Sequence, residues 1–328
     1  MIPYLRRHET MSRPHTLIIE TAPWKYDGWI ALRDFVIAAK LVSCLIAGVA
    51  PARYWPAASR LMARAHLRLR GGISRLFEPA QAHLNRDARS LAQEAIAADC
   101  LFNIQAIRES FPGGWQGESR LVGREILDAA LQCSRGAVLW YGPFVGTGLL
   151  MEKTLARAGY PLTLLGSPSH PFSPTRMGGL FLNAPRVRAE NRYLARRVFF
   201  VYGKAEPALA VLRQVLLENG VVLIRAIGAG RRTLSFPFLG GAMELAVGAP
   251  RLAYATGAAL IPVFTLPDQN AGYRVEVGPN LLPLTQLPED QALHEMASRY
   301  VDLLEPIVRA YPAHWEGWFH PATWRPSS

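Results

Sequence analysis

Residues 138–149 read VLWYGPFVGTGL. Apolar, β-branched and aromatic residues give way to a turn carrying Gly142, Pro143, Gly146 and Gly148, and then to the helical spacing of GLLMEKTLARAG (148–159). A buried strand that runs through a glycine turn into a helix is the opening of a βαβ unit. The same alternation continues outward. PLTLLGS (161–167), VVLIRA (221–226) and ALIPVFTL (259–266) read as strands, and PALAVLRQVLLENG (207–220) and ELAVGAPRLAYATG (244–257) read as helices between them. This rhythm predicts an α/β fold with a mainly parallel sheet flanked by helices. YRVEVGP (273–279) alternates cleanly and reads as a strand near an edge, and residues 290–312 read as a long amphipathic closing helix.

Upstream of the first strand the period is 3.6 rather than 2. SRLMARAHLRLR (59–70), SLAQEAIAADCLFNIQAIRESF (90–111) and GREILDAALQ (123–132) read as helices. The expected organisation is an N-terminal segment over 1–55 and an α/β domain over 56–328, helical over 56–131 and sheet-bearing over 132–328. FVIAAKLVSCLIAGVA (35–50) is short of the roughly 20 apolar residues that span a bilayer, and Lys40 interrupts it. Trp24, Tyr26 and Trp29 precede it, and Arg53, Tyr54 and Trp55 follow it. Aromatic and basic residues at both ends suit an interfacial segment, with a buried helix as the alternative. The leading reading is therefore contact with a membrane from the cytoplasmic side, either peripheral or as a single pass.

Lys and Arg number 36 against 25 Asp and Glu, giving a net charge of +11 over 328 residues. That excess fits an anionic membrane, phosphorylated or acidic ligands, or a solvated arginine-rich surface. Nucleic acid is not expected, because no nucleic-acid motif and no aromatic–basic interleaving occurs. Cys44, Cys100 and Cys133 are widely spaced, which points to buried thiols in a reducing compartment. The eight histidines show no metal-ligand spacing, so neither a metal nor another cofactor is expected.

Two blocks carry a resemblance. YPAHWEGWFHPATWRP (311–326) contains Trp318, His320, Trp324, Arg325 and Pro326, and SFPFLGGAMELAVGAPRLAYATGAALIPVF (235–264) precedes it in order. Together with the segments between Ala50 and Pro326 they resemble the lipid A biosynthesis lauroyl/myristoyl acyltransferases, of the lysophospholipid acyltransferase-like superfamily. The resemblance implies transfer of an acyl group from an acyl carrier protein or CoA thioester to a hydroxyl of a lipid at the inner membrane. It also implies an H-x4-D/E dyad after the first strand, in which histidine takes the proton of the attacking hydroxyl. Here the aligned positions are Tyr141 and Gly146, and no histidine or acid occurs between Arg135 and Glu152. Residues 225–232, RAIGAGRR, replace the Asp-Gln type pair that the family carries after a later strand.

Candidate groups for the missing chemistry are Tyr141, as oxyanion donor or as a base with its pKa lowered by arginines, and His170 and His320, as a base from elsewhere. Gly142 and Gly146 could present backbone donors to an anion, or could simply serve the turn. Arg186, Arg188, Arg192, Arg196, Arg197 and Lys204 form one basic cluster, with Arg192 and Arg196 expected on one helical face. Arg225, Arg231 and Arg232 form another. Guanidinium forks suit phosphate or an acidic carrier protein. Three functions remain open at this point: an acyltransferase with a non-standard site, a catalytically inactive relative that binds lipid, acyl chain or carrier protein, and an unrelated nucleotide-binding α/β enzyme.

Overall fold

Five consecutive residues at the centre of the sheet, Ala137–Tyr141, have both faces buried, which is why this segment reads as an unbroken apolar run. The computed structural model describes residues 16–20, 26–69, 71–167, 172–200, 205–283 and 287–326. The strands are β1 (Leu17–Glu20), β2 (Ser119–Val122), β3 (Ala137–Tyr141), β4 (Leu162–Gly166), β5 (Arg196–Phe199) and β6 (Val221–Arg225). They continue as β7 (Thr233–Phe238), β8 (Gly241–Ala246), β9 (Ala259–Pro267), β10 (Tyr273–Val277) and β11 (Trp324–Pro326). The helices are α1 (Leu32–Val49), α2 (Trp55–Leu69), α3 (Glu78–Leu84), α4 (Ala88–Ser110), α5 (Arg124–Gln132) and α6 (Leu149–Arg157). After them come the short α7 (Arg176–Gly178), then α8 (Ala184–Asn191), α9 (Glu206–Leu217), α10 (Gly248–Thr256) and α11 (Glu289–Ala310).

The eight-stranded sheet runs β1-β5-β4-β6-β3-β9-β10-β2. The first six are parallel, and β10 pairs antiparallel with β9, so the mainly parallel expectation is met. The strand over YRVEVGP lies one place in from the edge, which β2 occupies. On one sheet face Trp140 stacks on Tyr300 of α11 at 4.3 Å, and α9 and α10 complete the layer. On the other face Leu139 and Tyr141 pack with Leu127 of α5 and Met151 and Leu155 of α6. A third apolar cluster joins Cys44, Trp55, Phe102 and Ile104 to Leu149 and Leu150, and so ties α1, α2 and α4 to the start of α6.

Three expectations are corrected. The segment 244–257 is not one helix. Its first three residues complete β8, which pairs with β7 across a tight turn at Leu239 and Gly240, both with positive φ, and only Gly248–Thr256 is helical. Arg192 and Arg196 do not share a helix face, because α8 ends at Asn191 and Arg196 opens β5. Cys133 is exposed, whereas Cys44 and Cys100 are buried. The strands β1, β2, β5, β7 and β11 carried too few apolar residues in alternation to stand out in the sequence.

Among the described residues no helix is long and apolar enough to cross a membrane. α1 is anchored through its first turn instead. The buried Asp34 accepts the Ala31 amide at 2.8 Å, the Ser173 hydroxyl at 2.6 Å and the Thr175 hydroxyl at 2.7 Å. These bonds fix the helix to the loop after β4.

Candidate active site

The carboxyl ends of β3, β4 and β6 open into a cavity of about 1100 Å³. This is the edge at which open α/β sheets bind ligands. Its floor includes Tyr141 at the end of β3 and Arg225 at the end of β6, neighbours in register across the two strands. Helices α4 and α8 and the first turn of α6 make a wall, to which they contribute Asn103, Arg186 and Glu152. Ile96, Phe102, Leu165, Phe200 and Leu252 line it with apolar surface. Among the described residues that border it, eight are Lys or Arg and five are Asp or Glu, so the interior favours anions.

The turn between β3 and α6 owes its shape to glycine and to the C-terminal block. Gly146 has φ +92° and Gly148 φ +96°, backbone that a side chain strains. A Cβ on Gly142 would meet the Phe144 and Phe264 rings at 3.0 Å. The Val145 amide donates to the His314 carbonyl at 2.8 Å, and the Glu316 amide donates to the Pro143 carbonyl at 2.7 Å. The block itself is a knot of indoles. Trp315 and Trp318 meet edge to face at 4.7 Å, and Trp318 meets Trp324 at 5.0 Å. The Trp324 Nε1–H donates to the Phe238 carbonyl at 3.0 Å. Thus the sequence block that carried the resemblance is the buttress of the turn beneath the cavity.

The charged groups below the cavity are unusual for their burial. Arg197 and Glu190 pair at 2.8 Å, and Arg197 Nε donates to the Asn191 side chain at 2.7 Å, yet its Nη1 has no partner. Arg186 lies over the Phe102 ring at 4.4 Å, and its Nη1 also has none. Burial draws the Arg186 pKa below its ordinary value. Glu152 is wholly buried in the first turn of α6, and among the described residues neither of its carboxyl oxygens has a hydrogen-bond partner. Burial, followed by the nearby Glu190 carboxylate, holds its pKa well above the carboxylate range, and Arg197 and Arg186 only partly offset this. Burial thus favours the neutral form of Glu152 over the carboxylate.

Each predicted site residue now has a place. Tyr141 borders the cavity, but burial outweighs the Arg225 charge and pushes its phenol up, so it is a proton donor and the expectation of a lowered pKa is corrected. His320 borders the cavity, where desolvation and then the Arg225 charge push its imidazole down to about 4. Arg197, Arg225, Arg231 and Arg232 border the cavity, with Arg225 paired to Glu316 and Arg232 to Asp290 at 2.9 Å. Arg196 does not. It pairs with Glu218 at 3.4 Å near the edge of the sheet. Gly142 and Gly146 shape the turn without bordering the cavity, which Gly148 does. His170 and Lys204 lie outside the described residues. Among the described residues no cluster of His, Cys, Asp or Glu is arranged for a metal ion.

The sequence reading missed Glu152 and Glu190. For Glu152 a signal existed: LLMEKTL places adjacent charges in a helix of otherwise apolar residues, directly after the strand end where ligands bind. The adjacent Lys153 shows that such a signal is ambiguous. It is also buried, but it points away and bonds Glu109 at 2.6 Å and the Trp115 carbonyl at 2.5 Å.

Residues 208–325, which contain β6 to β10, the hairpin and the indole block, match the family described as bacterial lipid A biosynthesis acyltransferase. The chain has no match among curated proteins. The matching family points to acyl transfer in general. Over residues 208–325 the chain is similar to the bacterial lipid A biosynthesis acyltransferase family.

Proposed function

We propose that the protein transfers an acyl group from an acyl carrier protein or acyl-CoA thioester to a lipid or other acceptor, using a site other than the family's dyad. The observation that carries this reading is the cavity at the strand ends, which joins apolar wall for an acyl chain to an arginine-rich interior beside Tyr141. A thioester is already activated, so positioning and electrostatic stabilisation supply much of what catalysis needs. An acceptor that is itself a good nucleophile, such as an amine, reduces the demand for a strong base. His320, which borders the cavity, is available to receive a proton from a hydroxyl acceptor.

The proposed location is the cytoplasmic face of the inner membrane, by peripheral contact. Support comes from α1, where Leu32, Ile46 and Val49 are more than two-thirds exposed, and from the neighbouring Leu180 and Phe181, also exposed. Apolar side chains in this number suit the acyl boundary of a bilayer, and the net positive charge suits anionic headgroups.

The test is intact-mass measurement of acyl-loaded carrier protein incubated with the protein and a membrane extract. Enzyme-dependent loss of the acyl group is expected, and Tyr141→Phe should slow it on the order of a hundredfold, the usual effect of removing an oxyanion donor. No loss with any chain length would overturn the reading.

A further inference from the structure

Glu152 is the group in the cavity wall that neither the family pattern nor the fold accounts for. A carboxyl buried with both oxygens unbonded is destabilising, on the order of 1–3 kcal/mol for the unmet hydrogen bonds. Groups of this kind persist where a ligand completes them. The groups that face it are Tyr141 from β3, Arg186 and Glu190 from α8, and Arg197 from β5. Arg197 bonds Glu190 and Asn191 through Nη2 and Nε, and among the described residues none hydrogen-bonds either oxygen of Glu152.

We propose that Glu152 and Tyr141 together form a side-chain oxyanion site, the carboxylic O–H and the phenolic O–H both donating to the carbonyl oxygen of the bound acyl thioester. This rests on the acyl-transfer reading above. Both groups suit the part of a donor that carries no charge of its own, since burial raises both pKa values and so favours the protonated form of each. A tyrosine and a protonated carboxylic acid, both withdrawn from water, are an effective pair for holding a developing oxyanion.

In the reaction, a lone pair of the acceptor nitrogen or oxygen attacks the thioester carbon, and the carbonyl π electrons move to oxygen. The two O–H groups hold that oxyanion without giving up their protons. Collapse restores the carbonyl and breaks the carbon–sulfur bond. The departing thiolate takes the proton lost by the acceptor, directly or through water, so the acylated acceptor and the free thiol are the only products. This removes the need for a permanently placed histidine and explains how a turn with no histidine or acidic residue between Arg135 and Glu152 can serve a transferase.

The test uses the full chain with an S-acyl N-acetylcysteamine thioester carrying an isotope-labelled carbonyl, read by difference infrared spectroscopy. The bound carbonyl band is expected below its position in water, moving back toward it in Tyr141→Phe and in Glu152→Leu, and less so in Glu152→Gln, whose amide still donates. In turnover with the same thioester, Glu152→Leu should lower kcat on the order of a hundredfold with little change in KM. Circular dichroism and a thermal melt establish that each variant is folded. If one variant does not fold, the other two still decide. A bound probe whose band is unshifted, or whose shift survives in both Tyr141→Phe and Glu152→Leu, overturns the oxyanion assignment and leaves acyl transfer standing. A folded wild-type protein that does not bind the thioester overturns both.

Discussion

At the scale of single residues, the site holds a conflict between stability and function, and Glu152 shows it most clearly. Its pKa is raised in the folded state. The folded protein thus binds more protons than the unfolded chain over the pH range between the two values, and stability falls as pH rises through that range. Glu152→Gln abolishes this titration. It is expected to raise the melting temperature at neutral pH, by an increment on the order of 1 kcal/mol, while giving little or no gain near pH 4. Paired melts at the two pH values check this. Glu109 behaves in the opposite sense. Hydrogen bonds from Lys153, Tyr193 and the Trp115 amide outweigh burial and hold its carboxyl below the usual range, so its contribution is present at neutral pH and is lost as pH falls through its folded value. Two buried glutamates, Glu109 and Glu152, therefore respond to acid in contrary directions because one is hydrogen-bonded and the other is not.

At the scale of elements, the turn from β3 to α6 is the critical piece. It must leave the sheet, accept the backbone of residues 314–316 and start a helix whose first turn faces the cavity. Gly148 does this with φ +96° and ψ −103°, a region open to glycine alone. A Cβ there would have only the Glu190 carboxylate near it, at 3.8 Å, so the difficulty is conformational rather than steric. Gly148→Ala is expected to reduce stability by about 1–3 kcal/mol, read from the urea midpoint, and to impair turnover beyond that by shifting Glu152. The same turn was legible in the sequence as a strand–glycine–helix junction. What stood out less was its partner: nothing in HWEGWFHP (314–321) announces that the segment bonds back to residues 143 and 145.

At the scale of the whole molecule, charge and exposed apolar area combine. The chain is +11, the cavity is rich in arginine, and α1 presents Leu32, Phe35, Ile46 and Val49 outward. Binding to anionic phospholipid vesicles in a sedimentation assay is expected to weaken steeply between low and high salt, since surface attraction is screened beyond about 10 Å at 0.1 M. It should weaken at every salt concentration in a Phe35→Glu, Ile46→Glu double variant, which removes apolar contact and adds repulsion. Binding equal to wild type in that variant would remove α1 from the proposed membrane surface.

The sequence by itself determined the alternation of buried strands and amphipathic helices, the parallel sheet that follows from it, and the terminal indole block, because each is a local period or a contiguous motif. It also showed that no histidine or acidic residue occurs between Arg135 and Glu152. It could not separate Glu152 from Lys153, adjacent charges in one helix, of which one faces the cavity with no hydrogen-bond partner among the described residues and the other is locked to Glu109. Nor could it separate Arg197, fully buried against Glu190, from Arg196, its neighbour turned toward solvent and Glu218. Those distinctions depend on which face of a helix or strand meets which distant segment. Burial, desolvation and pairing are properties of that three-dimensional neighbourhood, so only the tertiary structure decided which charges border the cavity and which of them are paired.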